Sequence, residues 1–250
     1  MKRHGITMVD KRVRDGSKVY STIRDAILRL ELRPGSIIDE ATLCDAMNVS
    51  RTPVREAIIQ LIADDLMIRE GRSVRVAPLD FDEIPRLGEA LLVSSRMIHR
   101  LAASNCTATQ FIRIEEAMKA FEKGIELGDG MERSELNLSF HLAISQAANN
   151  RYFQRFYEHA LIGNFRLARA AFSQHEVRIP GKPLDKDTQA HLQETCRQHR
   201  AMVEAIRDGD QDRSEALAIE HETLSRGRLQ RLLFRRVSKG PKLTVGSIAE

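Results

Sequence analysis

Val49-Ser50-Arg51-Thr52-Pro53-Val54-Arg55-Glu56-Ala57 puts two guanidiniums and two hydroxyls into the first turn and a half of a helix. Ser50 is a good N-cap, and Pro53 falls within the first turn, where its missing N–H costs little and its ring stiffens the chain. Val54, Ala57, Ile58, Leu61 and Ile62 recur at the three- and four-residue steps of one buried face. Upstream, Asp39 caps a helix carrying Leu43, Ala46 and Met47, and only Asn48-Val49 separates the two helices. Farther back, Val19, Ile23, Ala26, Ile27 and Leu30 mark another helix, stopped by Leu32-Arg33-Pro34-Gly35. Downstream, Met67-Ile68-Arg69, the Glu70-Gly71-Arg72 turn and Val74-Arg75-Val76 read as a hairpin. Helix, helix, short turn, helix, hairpin is a winged helix-turn-helix over residues 17–78.

That order gives the polar residues a task. A recognition helix presents its N-terminal residues to the major groove, where Arg51 and Arg55 can grip guanine bidentately and Ser50 and Thr52 can meet bases or phosphates. Gly71 allows the hairpin tip a close backbone approach, and Arg72 supplies a cation for a phosphate or the minor groove. The expected partner is double-stranded DNA.

Beyond the linker Ala77-Pro78-Leu79-Asp80, helical periodicity dominates. Helices are expected at about 81–104, 107–127, 131–148, 150–174, 187–208 and 211–234. Asn105-Cys106-Thr107, Gly128-Asp129-Gly130, Asn149-Asn150, the stretch 175–186 and Asp208-Gly209-Asp210 separate them. The expected fold is mainly α: a winged helix-turn-helix followed by an all-helical antiparallel bundle over residues 79–234. Residues 1–16 read as a flexible basic arm and 235–250 as a basic tail.

Composition agrees with this division. The 250 residues are 42% hydrophobic, 30% charged and 5% aromatic without Trp, which excludes disorder, collagen and small disulfide scaffolds. Lys and Arg outnumber Asp and Glu by 14 to 11 in residues 1–78 and by 4 to 1 from Arg235 on, but trail by 21 to 23 between. The basic excess sits at the ends, as a polyanion-binding segment requires. Cys44, Cys106 and Cys196 form no CxxC pair and read as reduced, packed thiols. No apolar run reaches the length of a spanning helix and the N-terminus lacks a signal-peptide core, so a cytoplasmic protein without membrane contact is expected.

Four side chains of the helical part stand out. Asn137 and His141 lie four apart and share a helix face. His199 and His221 each lie about ten residues from the Asp208-Gly209-Asp210 turn, so antiparallel folding brings them level. Three imidazoles and one amide oxygen then converge, and neutral imidazole is the commonest ligand for a divalent ion such as Zn or Ni. Taken singly, each histidine is better read as a hydrogen-bonded core residue; the matched spacing of the three makes the case for a metal or ligand site. His4, His99, His159, His175 and His191 read as surface or packing residues. Phe111, Phe121, Phe140, Phe153, Phe156 and Phe165 read as core or dimer surface.

The Leu32-Arg33-Pro34-Gly35 turn, Glu40, Leu43, the VSRTPVREA run and the Gly71 wing together resemble the GntR transcriptional regulators. The resemblance implies DNA-contacting roles for Ser50, Arg51, Thr52, Pro53, Arg55 and Gly71. Ala41 departs from it, standing where some relatives carry an Arg that touches DNA. Asn137-Leu138-Ser139-Phe140-His141, Asn149-Asn150, His199 and His221 resemble the FCD effector domain of the FadR-type subfamily. By that resemblance Asn137, His141, His199 and His221 occupy metal-ligand positions in a cavity for small organic acids. Metal-binding members often carry Asp at the first of these, so Asn137 implies weaker metal binding or direct hydrogen bonds to the ligand. An Arg and a Glu of the first effector helix are replaced by Leu91 and Ser95, which makes Arg96 and Arg100 the candidates for ligand contact. The implied function is a ligand-responsive repressor, a homodimer on an inverted-repeat operator whose affinity changes when a small carboxylate effector binds at or near the metal. A metal-independent sensor of acyl-CoA or another lipidic ligand is one alternative. A helical-bundle metalloenzyme is another, although the chain holds neither a Glu-x-x-His pair of the di-iron kind nor HExxH.

Overall fold

Val19, Ile23, Ala26 and Ile27 are buried along one face of α1 (Gly16–Leu28) in the computed structural model of the chain, which describes residues 16–127, 130–172 and 184–238. Leu28, rather than the expected Leu30, completes this face. Leu30 adopts left-handed backbone at φ 59°, and the Leu32 amide reaches back to the Ala26 carbonyl at 3.1 Å, so the helix is closed before Pro34 is reached. Asp39 caps α2 (Glu40–Met47) as expected. It accepts from the Thr42 hydroxyl at 2.8 Å and the Ala41 amide at 3.0 Å, and these bonds hold its carboxyl below the usual carboxylate range. Asn48 ends α2 in left-handed backbone, and α3 (Arg51–Ala63) begins three residues later.

Val54, Ala57, Ile58 and Leu61 of α3 are buried, with α3 packing on both α1 and α2, while Ile62 is only half-buried. Each large aliphatic side chain so removed from water is worth about 1.5–3 kcal/mol. That burial fixes which face of α3 points outward. The wing is the antiparallel pair β2 (Met67–Glu70) and β3 (Ser73–Val76), turning at Gly71 with φ 60°. A further strand, β1 (Ile37–Ile38), pairs with β3, giving the order β1-β3-β2.

A 3-10 turn at Phe81–Glu83, capped by Asp80, leads into α4 (Ile84–Asn105). There follow α5 (Ala108–Leu127), α6 (Gly130–Ala147), α7 (Arg151–Phe172), α8 (Lys186–Arg207) and α9 (Gln211–Ser238), each within a few residues of its expected range. The expected arm lies outside the described residues up to residue 15, Gly16 already opening α1; the expected tail lies outside them from residue 239, and α9 runs through its first residues to Ser238.

The chain divides into two compact units. One holds the described residues up to Leu91 together with Arg151–Ala170; the other holds Leu92–Asn150 and the described residues from Ala171. Most of α7, expected as part of the helical body, therefore packs with the winged helix. Arg166 donates to the Ala77 carbonyl at 2.6 Å and Arg169 to the Leu28 carbonyl at 2.8 Å, and both side chains are buried. The Leu28 carbonyl belongs to the last turn of α1, where a cation is favoured. Arg166→Ala removes a charged donor from a buried carbonyl and is expected to destabilise this unit by about 2–3 kcal/mol, read as a lower urea midpoint by circular dichroism.

In the second unit, α5 packs on α6 and α8, and α8 on α9. Thr107 and Gln110 exchange backbone and side-chain bonds as a capping box at the start of α5. Asn149, at φ 50°, donates to the Asn105 carbonyl and accepts from Gln110, which ties the ends of α4 and α6 to that cap.

Candidate functional site

The exposed N-terminal turn of α3 carries Ser50, Arg51 and Thr52 at the surface, with Pro53 partly covered. Ser50 sits at the N-cap with extended backbone, but its hydroxyl makes no capping hydrogen bond. Arg55, one turn on, is exposed and donates its Nε–H to Glu40 of α2 at 2.9 Å. That pairing raises its already high pKa, so the guanidinium is a permanent cation held in a set direction. Gly71 and Arg72 are exposed at the wing tip. The predicted contact residues thus occupy two outward features of one small domain, and their chemistry is that of groove and phosphate contacts.

The histidines are built from three helices. Asn137 and His141 share α6, while His199 and His221 face each other across the α8–α9 hairpin. In its turn, Gly209 has φ 69°, the Gly209 amide donates to Ile206 and the Asp210 amide to Ala205. Asp210 also accepts from the Arg213 amide at 2.9 Å, so both turn residues act as the sequence predicts. The ring centroids of His141 and His199 are 5.2 Å apart, and His221 lies 4.9 Å from each. One nitrogen from each ring falls within 4.8 Å of the others, and all three side chains are buried.

The electrostatics follow from that burial. Desolvation pushes His141 down to about 3 and carries His199 and His221 well below their usual value, so all three are neutral imidazoles with a lone pair to offer. His221 Nδ1 lies 3.0 Å from Gln198 Oε1; with that oxygen as acceptor, Nδ1 carries the proton and Nε2 keeps the lone pair. Both nitrogens of His199, Nδ1 of His141 and Oδ1 of Asn137 are buried with no hydrogen-bond partner among the described residues. Phe140 and Phe121 wall His199 at centroid distances of 4.1 and 4.9 Å and are core residues, as expected.

Arg96 and Arg100 are placed elsewhere. Both project from α4 at the surface, where Arg96 pairs with Glu215 of α9 and Arg100 with Asp212 and Glu215. Three buried polar residues escaped the sequence reading. Gln198 orients His221. Glu222, buried and in contact with the Ser95 hydroxyl, is raised to about 7 by desolvation. His99, read as an ordinary residue, is fully buried with both ring nitrogens unpartnered. The available signal was the apolar stripe Leu91, Ile98 and Ala102 of α4, interrupted by Ser94, Ser95 and His99.

Residues 16–76 match the family of bacterial regulatory proteins named gntR, and residues 96–223 match the FCD domain. The chain is 25% identical to the galactonate operon transcriptional repressor of Escherichia coli, with 86% of this chain and 96% of that one covered. It is 26% identical to the HTH-type transcriptional regulator YdhC of Bacillus subtilis over 56% of this chain and 63% of that regulator's length. Among solved structures, McbR/YncC of E. coli superposes with a TM-score of 0.69 at 16% identity, covering 92% of this chain and all of that one, a likeness of fold. The two sequence relatives bear the names of transcriptional regulators. The recognition helix, the wing and the helical domain that follows them are those of a GntR-family transcriptional regulator with an FCD effector domain, and the chain belongs to that family.

Proposed function

We propose that this regulator is a repressor whose operator affinity is set by a small carboxylate bound beside a divalent metal. The observation that carries the reading is the set of unpartnered buried atoms: both nitrogens of His199, Nδ1 of His141 and Oδ1 of Asn137. Buried polar atoms are rarely left without partners, and those of His199 and His141 belong to rings clustered with His221. Neutral nitrogens with an amide oxygen suit a borderline ion such as Zn or Ni better than Mg or Ca. His141, His199 and His221 would hold the ion, with Asn137 as the oxygen donor. Bound there, it supplies a positive centre that attracts a carboxylate. Gln198 keeps the His221 ring in one tautomer, and Phe121 and Phe140 keep water from His199. The relative named for a galactonate operon makes a hydroxylated carboxylate a reasonable chemical class to try first.

The regulatory step is linkage. An acid that binds one state of the protein better than another shifts the population towards that state, and operator affinity changes by the same free energy. A homodimer presenting two copies of α3 would read an inverted repeat. Metal analysis of protein purified without a histidine tag tests the reading: about one ion per chain after nickel or zinc reconstitution supports it, and none overturns it. Asn137→Asp replaces a neutral oxygen by a charged one and is expected to tighten nickel binding by about tenfold, measured by competition with a chromophoric chelator. An unchanged or weaker affinity would remove Asn137 from the ligand set.

A further inference from the structure

His99 is the one buried imidazole of α4 among the described residues, and the metal reading leaves it unused. Its side chain is fully buried, and neither Nδ1 nor Nε2 has a hydrogen-bond partner among the described residues. An ion takes one nitrogen from each imidazole, and the close donor set comprises His141, His199 and His221 without His99. Filling that set would still leave both His99 nitrogens without a partner among the described residues. A leucine would fill the same space at no such cost, so packing does not explain an imidazole here.

The register of α4 against α9 locates the ring. The Ser214 hydroxyl donates to the His99 carbonyl at 3.1 Å, and Ser95, one turn earlier, meets Glu222. The two helices therefore run antiparallel, and His99 lies on the stretch of α4 alongside α9 between Ser214 and His221. A charge placed on His99 would be felt at His141 and His199, and one placed on His221 would be felt at His99, so with the register of the two helices His99 lies within electrostatic reach of the cluster. Burial holds its own pKa down to about 3, so it is a neutral ring with one N–H and one lone pair. A neutral, unpartnered donor close to a place where negative charge is attracted has a natural partner in an oxygen anion.

We propose that His99 is an effector contact, its ring N–H donating to a carboxylate oxygen of a small acid seated beside the histidine cluster. This rests on the metal-and-carboxylate reading above and adds to it the residue that meets the acid from α4. The test uses full-length, nickel-loaded wild type, His99→Leu and His99→Gln, with acetate and succinate as probes, followed by calorimetry and thermal melting. His199→Ala serves as the metal-site control. Succinate affinity is expected to fall at least tenfold in His99→Leu and to recover in part in His99→Gln, which restores an N–H donor. The melting temperature of metal-free His99→Leu should equal or exceed that of wild type, because two unpaired nitrogens are gone. Equal succinate binding by His99→Leu and wild type overturns the proposal, as does failure of both acids to bind nickel-loaded wild type. Loss of nickel uptake in His99→Leu also overturns it, by making His99 a metal ligand. Wild type that takes up no nickel marks failure of the underlying reading, whereas nickel uptake lost in His199→Ala with unaltered acid binding in His99→Leu marks failure of this inference alone.

Discussion

Replacing Arg51 and Arg55 together by alanine is expected to weaken operator binding by at least about thirtyfold. Each guanidinium that grips guanine bidentately contributes about 1–3 kcal/mol, so the pair carries about 2–6 kcal/mol, and every 1.4 kcal/mol is a factor of ten. The two single variants should differ. Arg51 stands exposed at the first position of α3, so its loss registers in full. Arg55 is already paired with Glu40 at 2.9 Å, and binding DNA means sharing or leaving that partner, which lowers its net worth. Glu40→Gln separates the two contributions: it frees Arg55 and removes a carboxylate from the DNA side, so affinity for duplex of any sequence should rise. The measurement is fluorescence anisotropy at fixed salt, with a duplex selected by the wild type from a random pool and a scrambled duplex as reference. Loss of base contacts lowers affinity for the selected duplex alone; loss of phosphate contacts lowers both and flattens the salt dependence. A double variant that binds the selected duplex as tightly as wild type would remove α3 from the recognition role.

The winged helix-turn-helix was legible because its signals are local. The cap at Asp39, the stripe through Val54, Ala57, Ile58 and Leu61, and the Gly71 turn each act within a few residues. The α8–α9 hairpin was legible for the same reason: a Gly and a capping Asp fix its turn, and helical rise does the rest, so His199 and His221 could be brought level by counting residues. What sequence hid was non-local. The two residues of β1 carry no period that announces a strand, and their partner β3 lies beyond two helices. Arg166 and Arg169 look like solvated charges until the carbonyls of Ala77 and Leu28 appear beside them. His99 falls within an apolar stripe, and only the lack of partners for its two nitrogens among the described residues sets it apart from a packing residue. Nor did sequence show that Arg96 and Arg100 pair with Asp212 and Glu215 across the helix pair.

His199→Ala is expected to abolish near-stoichiometric metal uptake while leaving the metal-free protein folded. The ring is fully buried between Phe140 and Phe121, with neither nitrogen partnered among the described residues. Truncation leaves a cavity, and large-to-small changes in a core cost about 2–5 kcal/mol; here the removal of two unsatisfied nitrogens, each a penalty of about 1–3 kcal/mol in the parent, offsets much of that. The metal-bound state has no such compensation. A ligand present at a thousand times its dissociation constant stabilises the fold by about 4 kcal/mol, and that increment vanishes when binding does. Melting curves with and without nickel should therefore separate widely for wild type and coincide for His199→Ala. Gln198→Ala, which loosens His221 without removing a ligand, should fall between them with affinity reduced about 10- to 100-fold. Metal content by mass spectrometry reads the same series directly. Wild-type curves that coincide would show that nickel has no purchase on the three imidazoles. Their unpartnered nitrogens would then call for an organic occupant that hydrogen-bonds to them directly, and the search for the effector would move to molecules rich in such groups.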